Sequence, residues 1–77
     1  MMARPIWIVE ACVNVKGQPV NLFNGAYVTL EGARASLEEL ARAQGAVCEW
    51  EGPNRLGAYH ARIGEERYSV AETTLRD

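Results

Sequence analysis

The sequence predicts an α+β fold: a single two-layer domain spanning residues 1–77, with one amphipathic helix packed on one face of an antiparallel sheet. Three observations predict it. Residues 29–45 carry apolar side chains at helical spacing. The preceding segment alternates apolar and polar residues with a period of two. After the helix, turn residues divide the chain into three short alternating pieces. The expected order is β(β)αβββ.

The first strand is expected over Ile6 to Val15, which is rich in β-branched residues. Trp7, Val9, Ala11, Val13 and Val15 point one way, and Ile6, Ile8, Glu10, Cys12 and Asn14 the other. Lys16-Gly17-Gln18-Pro19 reads as a turn, and Val20 to Phe23 as a brief returning strand, with Pro19 suited to a sheet edge. Asn24-Gly25 reads as a further turn, after which Tyr27-Val28 leads into the helix.

The helix runs from Thr29 to Gly45. Leu30, Ala33, Leu37, Leu40 and Ala41 form its apolar stripe, and Gln44 continues the stripe into solvent. The Thr29 hydroxyl suits an N-cap and Gly45 a left-handed C-cap, while Glu31 and Arg42 complement the helix dipole at either end. Ser36-Leu37-Glu38-Glu39 also fits a capping box and marks an alternative start. Leu30 and Ala33 favour the longer helix, although Gly32 costs up to about 1 kcal/mol relative to alanine and weakens the first turn.

Beyond the helix, Ala46 to Glu51 places Ala46, Cys48 and Trp50 on one face and Val47, Glu49 and Glu51 on the other. Gly52-Pro53-Asn54-Arg55 has loop chemistry. Ala58 to Ile63 turns Tyr59, Ala61 and Ile63 to one side and His60 and Arg62 to the other. Gly64-Glu65-Glu66 is a turn, Arg67 to Thr73 aligns Tyr68 and Val70 inward, and Thr74 to Asp77 is expected to fray.

Composition narrows the function classes. A net charge of −2, with eight basic residues scattered among ten acids, lacks the basic stripe of a nucleic-acid binder. Cys12 and Cys48 lack metal-ligand spacing and read as two buried thiols, with a disulfide between neighbouring strands as the alternative. The short apolar run Ile6 to Val9 is neither a signal peptide nor a membrane span, so a soluble, cytoplasmic protein is expected. A chain this short buries only about 60% of its unfolded surface, so a homodimer or a larger partner would add stability.

No motif carries catalysis. His60, the single histidine, faces solvent beside Arg62, with no Gly-x-Ser-x-Gly frame in the chain. Residues 52–57, GPNRLG, lack phosphate-loop spacing, so no cofactor is expected, and Arg55 is placed at a hairpin tip. Glu49 and Glu51 share a strand face but have no third ligand for a metal. They read as the solvated face of a half-buried strand or, with Glu65, Glu66 and Glu10, as an acidic patch for a basic protein partner. On the helix, Glu31, Arg34, Glu38, Glu39 and Arg42 read as a solvated face with Arg34–Glu38 and Glu38–Arg42 pairs. Trp7 and Trp50 read as core anchors. Ile6 and Ile8, opposite Trp7 and Val9, read as an apolar patch that Phe23 and Tyr27 could extend.

The helix TLEGARASLEELARAQG, followed by the strands AVCEWE, GAYHARI and ERYSVAE, resembles the small anti-CRISPR proteins of phages in size and strand–helix–meander order. The likeness covers nearly the whole chain as architecture and matches no diagnostic motif. It implies a non-catalytic inhibitor in the bacterial host cell that binds a type I CRISPR effector complex and blocks its engagement of target DNA. Glu49, Glu51, Glu65 and Glu66 would meet basic, DNA-facing residues of the effector, with Arg55 and Tyr59 as neighbours. The mixed charge departs from a strong DNA mimic. Two alternatives are a self-associating structural or regulatory module, paired through the strand bearing Ile6 and Ile8, and an enzyme using His60 with a carboxylate.

Overall fold

A computed structural model describes residues 3–76, and in it every strand pairs antiparallel. The elements are β1 (Ala3–Val15), β2 (Gln18–Tyr27), α1 (Leu30–Gln44), β3 (Cys48–Glu51), β4 (Tyr59–Ile63) and β5 (Glu66–Arg76). They form one five-stranded sheet in the order β2-β1-β5-β4-β3 with the helix on one face, the expected α+β architecture.

The helix ends where its local chemistry directs. The Thr29 hydroxyl accepts from the Gly32 amide at 3.0 Å, and Gly45 closes the other end at φ 68°, so the longer helix forms rather than one starting at Ser36. Glycine at position 32 leaves room for the cap: a Cβ there would stand 3.2 Å from the Thr29 hydroxyl oxygen and in ordinary contact with the Tyr27 ring. Ala33, Leu37 and Ala41 are fully buried against Val9 of β1, Tyr68 and Val70 of β5, and Ala61 and Ile63 of β4. Leu30 and Leu40 flank that core.

All five strands differ from their expected bounds: β1 begins at Ala3, β2 runs from Gln18 to Tyr27, β5 from Glu66 to Arg76, and β3 and β4 begin later, at Cys48 and Tyr59. Asn24-Gly25 is not a turn: β2 runs through it as a β-bulge, the partner of Val9 being Gly25 and that of Glu10 being Phe23. Glycine fits there because the Tyr27 ring lies over it, 3.0 Å from where a Cβ would stand. The C-terminal end is not frayed through Arg76, since Thr74, Leu75 and Arg76 pair with Pro5, Arg4 and Ala3. Asp77 lies outside the described residues. Lys16 and Gly17, both at positive φ, make the two-residue β1–β2 turn, and Pro19 lies on an edge strand as expected.

The cysteines are half-buried rather than buried, and both are free. Cys12 lies on the face away from the helix and Cys48 on the helix side, with β5 and β4 between their strands, so the alternative of a disulfide between neighbouring strands is also corrected. Nor is the helix's charged flank simply solvated. The Arg34 guanidinium stacks 4.6 Å from the Trp50 ring centroid, and Glu38 accepts the Trp50 indole N–H at 3.1 Å. Trp7 and Trp50 are half-buried at the rim of the core, and Trp7 meets Tyr59 at 6.3 Å between ring centroids. Among the described residues no helix is long and apolar enough to cross a membrane.

Burial on the helix side raises two pKa values. The Tyr68 phenol is pushed up by burial and by neighbouring Glu66, whose carboxylate accepts its hydroxyl at 3.2 Å. The Cys48 thiol is pushed up by burial and by Glu38, with Arg34 opposing. A folded state that holds these protons more tightly gains a contribution that is complete below the ordinary values, 9.0 for the thiol and 10.0 for the phenol. That contribution is lost as pH rises through the folded values. Urea midpoints measured from about pH 7 to about pH 11 should therefore hold steady to about pH 8.5 and fall beyond it. Tyr68→Phe should reduce the fall, and a flat profile would contradict the burial described here.

Candidate functional site: the uncovered sheet face

The helix covers one face of the sheet, so strand alternation presents the other face as two charged rows beside an apolar end. One row runs Glu10, Ser69, His60 and Glu51 across β1, β5, β4 and β3, each directly opposite the next. The adjacent row runs Cys12, Arg67, Arg62 and Glu49 across the same strands. At about 4.8 Å between strands, each row spans about 14 Å. Six of these residues, Cys12, Glu49, Glu51, His60, Arg62 and Arg67, line a shallow concavity of about 660 Å³. Toward the other end stand Ile6 and Ile8, with Ala26 and Ala71 paired to Ile8. Phe23, 69% exposed, projects from the edge strand beside Glu10 because the Asn24 bulge sets its register.

Carboxylates stand on β1 and β3, and Arg62 and Arg67 on β4 and β5 between them. Arg62 pairs with Glu49, its Nε donating to Oε1 at 3.0 Å, and that bond raises the guanidinium pKa further above its ordinary value. Asn21 donates to Glu10 at 3.3 Å. Among the described residues Glu51 and Arg67 make no ion pair. Arg67 stands directly opposite Arg62, a like-charge juxtaposition that disfavours the bare face and favours an anionic group above it.

The residues expected to bind a partner are only partly brought together. Glu49 and Glu51 share this face on edge strand β3. Arg55 lies in the loop between β3 and β4, whose form is set by Asn54: its Oδ1 accepts from the amides of Leu56 at 2.8 Å and Ala58 at 3.0 Å. Tyr59 is on the helix side, half-buried near Trp7 and Arg34. Glu65 is in the β4–β5 turn, and Glu66 faces the helix side with Ile63 and Tyr68. The five acids therefore do not merge into one patch: Arg62, Arg67 and His60 stand between Glu10 and the Glu49–Glu51 pair.

Arg67 and Ser69 enter the site without having been singled out in the sequence, and Cys12 was read only as a thiol. The signal was present, since an inward Tyr68 and Val70 force Arg67 and Ser69 outward. What was missing was the β5–β4–β3 register that sets them against Arg62 and His60.

The row Ser69–His60–Glu51 carries the residue types of a nucleophile–base–acid arrangement, yet no hydrogen bond joins them among the described residues. Backbone N–H groups in a sheet lie in its plane and serve the ladder, so none is aimed above this face as an oxyanion donor. Among the described residues no three His, Cys, Asp or Glu side chains gather to hold a metal ion. No family model, curated protein or solved structure matches the chain.

Proposed function

We propose that this chain is a non-catalytic inhibitor that binds a protein partner through the uncovered sheet face. The observation that carries the reading is the composition of that face: two arginines at its centre flanked by carboxylates on β1 and β3, an apolar end at Ile6 and Ile8, and exposed Phe23 at the edge. Such a surface suits register-specific docking, because charge pattern sets orientation and apolar anchors supply most of the affinity. A shallow face does not exclude water from a reacting group, which weighs against chemistry on a small substrate.

The partner we propose is a type I CRISPR effector complex, and its choice rests on the resemblance in size and element order alone. Glu51 and Glu49, at the edge of the sheet, would meet basic DNA-facing residues of the effector and occlude target DNA. Arg62 and Arg67 would meet acidic residues beside them.

The test is capture of type I effector complexes from lysates by the tagged protein across a salt series. Stoichiometric capture that weakens with salt is the expected result. Failure to capture any effector would remove the effector from the reading.

A further inference from the structure

We propose that the free edge of β3 takes an extended basic segment of a partner protein as an antiparallel sixth strand. The hydrogen-bond pattern of the meander fixes which backbone groups stand at that edge. Gly64 and Glu65 form a two-residue turn, so Ile63 and Glu66, which flank it, exchange both of their backbone bonds. Bonded pairs alternate along an antiparallel ladder. Ala61 and Tyr59 therefore also bond to β5, while Arg62 and His60 turn their backbone groups toward Glu49 and Glu51 of β3. Cys48 and Trp50 are left to direct their amides and carbonyls away from the sheet. Among the described residues none of these four groups has a hydrogen-bond partner. The opposite edge, β2, is blunted by Pro19 and the Asn24 bulge, and β3 carries neither device.

Charge along the edge selects the occupant. Glu49 and Glu51 are both exposed on the uncovered face of β3. Arg62 engages only Oε1 of Glu49, and among the described residues Glu51 has no side-chain hydrogen bond or ion pair. On the helix side the strand is bordered by a third carboxylate, Glu38, held at the Trp50 indole, while the Arg34 guanidinium is stacked on the Trp50 ring. These carboxylates disfavour a second copy: in a two-fold β3–β3 pair centred on Trp50, Glu49 of each copy would stand opposite Glu51 of the other. A segment with lysine or arginine at every second position sets cations against both glutamates. Its intervening side chains then fall on the helix side beside Trp50. Backbone bonds to Cys48 and Trp50 would supply affinity, and the charge spacing would choose the segment.

The proposal rests on the protein-binding reading of the adjoining face, but its test contains no CRISPR effector, so the two can fail separately. The probe is the capped peptide Thr-Lys-Val-Lys-Val-Lys-Thr, titrated to about 1 mM into the isotopically labelled chain and followed by NMR. Saturable binding that slows hydrogen exchange at the Cys48 and Trp50 amides is the expected result. In the antiparallel register the valines stand opposite Cys48 and Trp50, so methylating the valine amide nitrogens should weaken binding at least about tenfold. Methylating the lysine amide nitrogens, which point away from β3, should change it less than about twofold. Glu51→Lys should weaken binding about fivefold and Glu39→Lys leave it unchanged, with circular dichroism confirming that both variants fold. No binding by about 1 mM would overturn the proposal. So would equal losses from the two methylated peptides, or protection that omits Cys48 and Trp50.

Discussion

Leu37→Ala is expected to lower the free energy of unfolding by about 3–5 kcal/mol, as large-to-small changes at fully buried leucines do. Leu37 is 1% exposed at the centre of the helix stripe and is among the largest fully buried side chains, with Ile63, Val9 and Val70. Three of the other core residues, Ala33, Ala41 and Ala61, are alanines, so few large groups hold helix to sheet. A chain of this size has a total stability of about 4–12 kcal/mol, and the loss would consume much of it. Urea unfolding measures the effect through the midpoint, with the slope used to check that the denatured state is unchanged. A loss below about 1 kcal/mol would mean that the helix does not seat on the sheet through Leu37.

Gly52→Ala should be the most damaging of the alanine substitutions at turn glycines, at about 2–4 kcal/mol, because two penalties coincide. Its φ of 115° lies where side chains are rarely tolerated, and a Cβ would stand 2.9 Å from the Ala58 carbonyl oxygen and 3.2 Å from the Tyr59 Cα. Both neighbours are backbone atoms of the segment entering β4, so relief would have to come from moving that strand. Gly64→Ala provides the comparison: its φ of 61° is also left-handed, but nothing lies within 4 Å of the added carbon. It should cost only about 1 kcal/mol. Thermal melts of the two variants separate backbone clash from backbone conformation, and equal losses would contradict the close approach at Gly52.

The helix was legible from cap to cap because each of its signals is local. Thr29, the stripe and Gly45 lie within one short segment and act on one another directly. Strand faces were legible for the same reason, and the alternation through Trp7, Val9 and Ala11 matches the packed side of β1. The length of β2 was not legible, because Asn24-Gly25 is turn chemistry in isolation. Only the register against Val9 and Glu10, with Tyr27 over Gly25, makes it a bulge.

Nor could the pairing of Thr74 to Arg76 be read, since their partners Ala3 to Pro5 stand at the opposite end of the chain. The candidate site divides in the same way. The shared face of Glu49 and Glu51 follows from a two-residue spacing, but the Arg62–Glu49 pair and the Arg62–Arg67 contact depend on strand register. The role of Arg34 and Glu38 around Trp50 depends on where the helix crosses the sheet.

Titration of a purified type I effector complex with the purified chain tests most directly whether the uncovered face is the inhibitory surface. Wild type would be compared with Glu51→Lys on that face and with Glu39→Lys, a charge-matched change at an exposed position of the helix. Saturable binding, weakened at least about tenfold by Glu51→Lys and unchanged by Glu39→Lys, is the result that the face predicts. Equal affinity for all three proteins, or greater loss from the helix substitution, would place the contact elsewhere and contradict it.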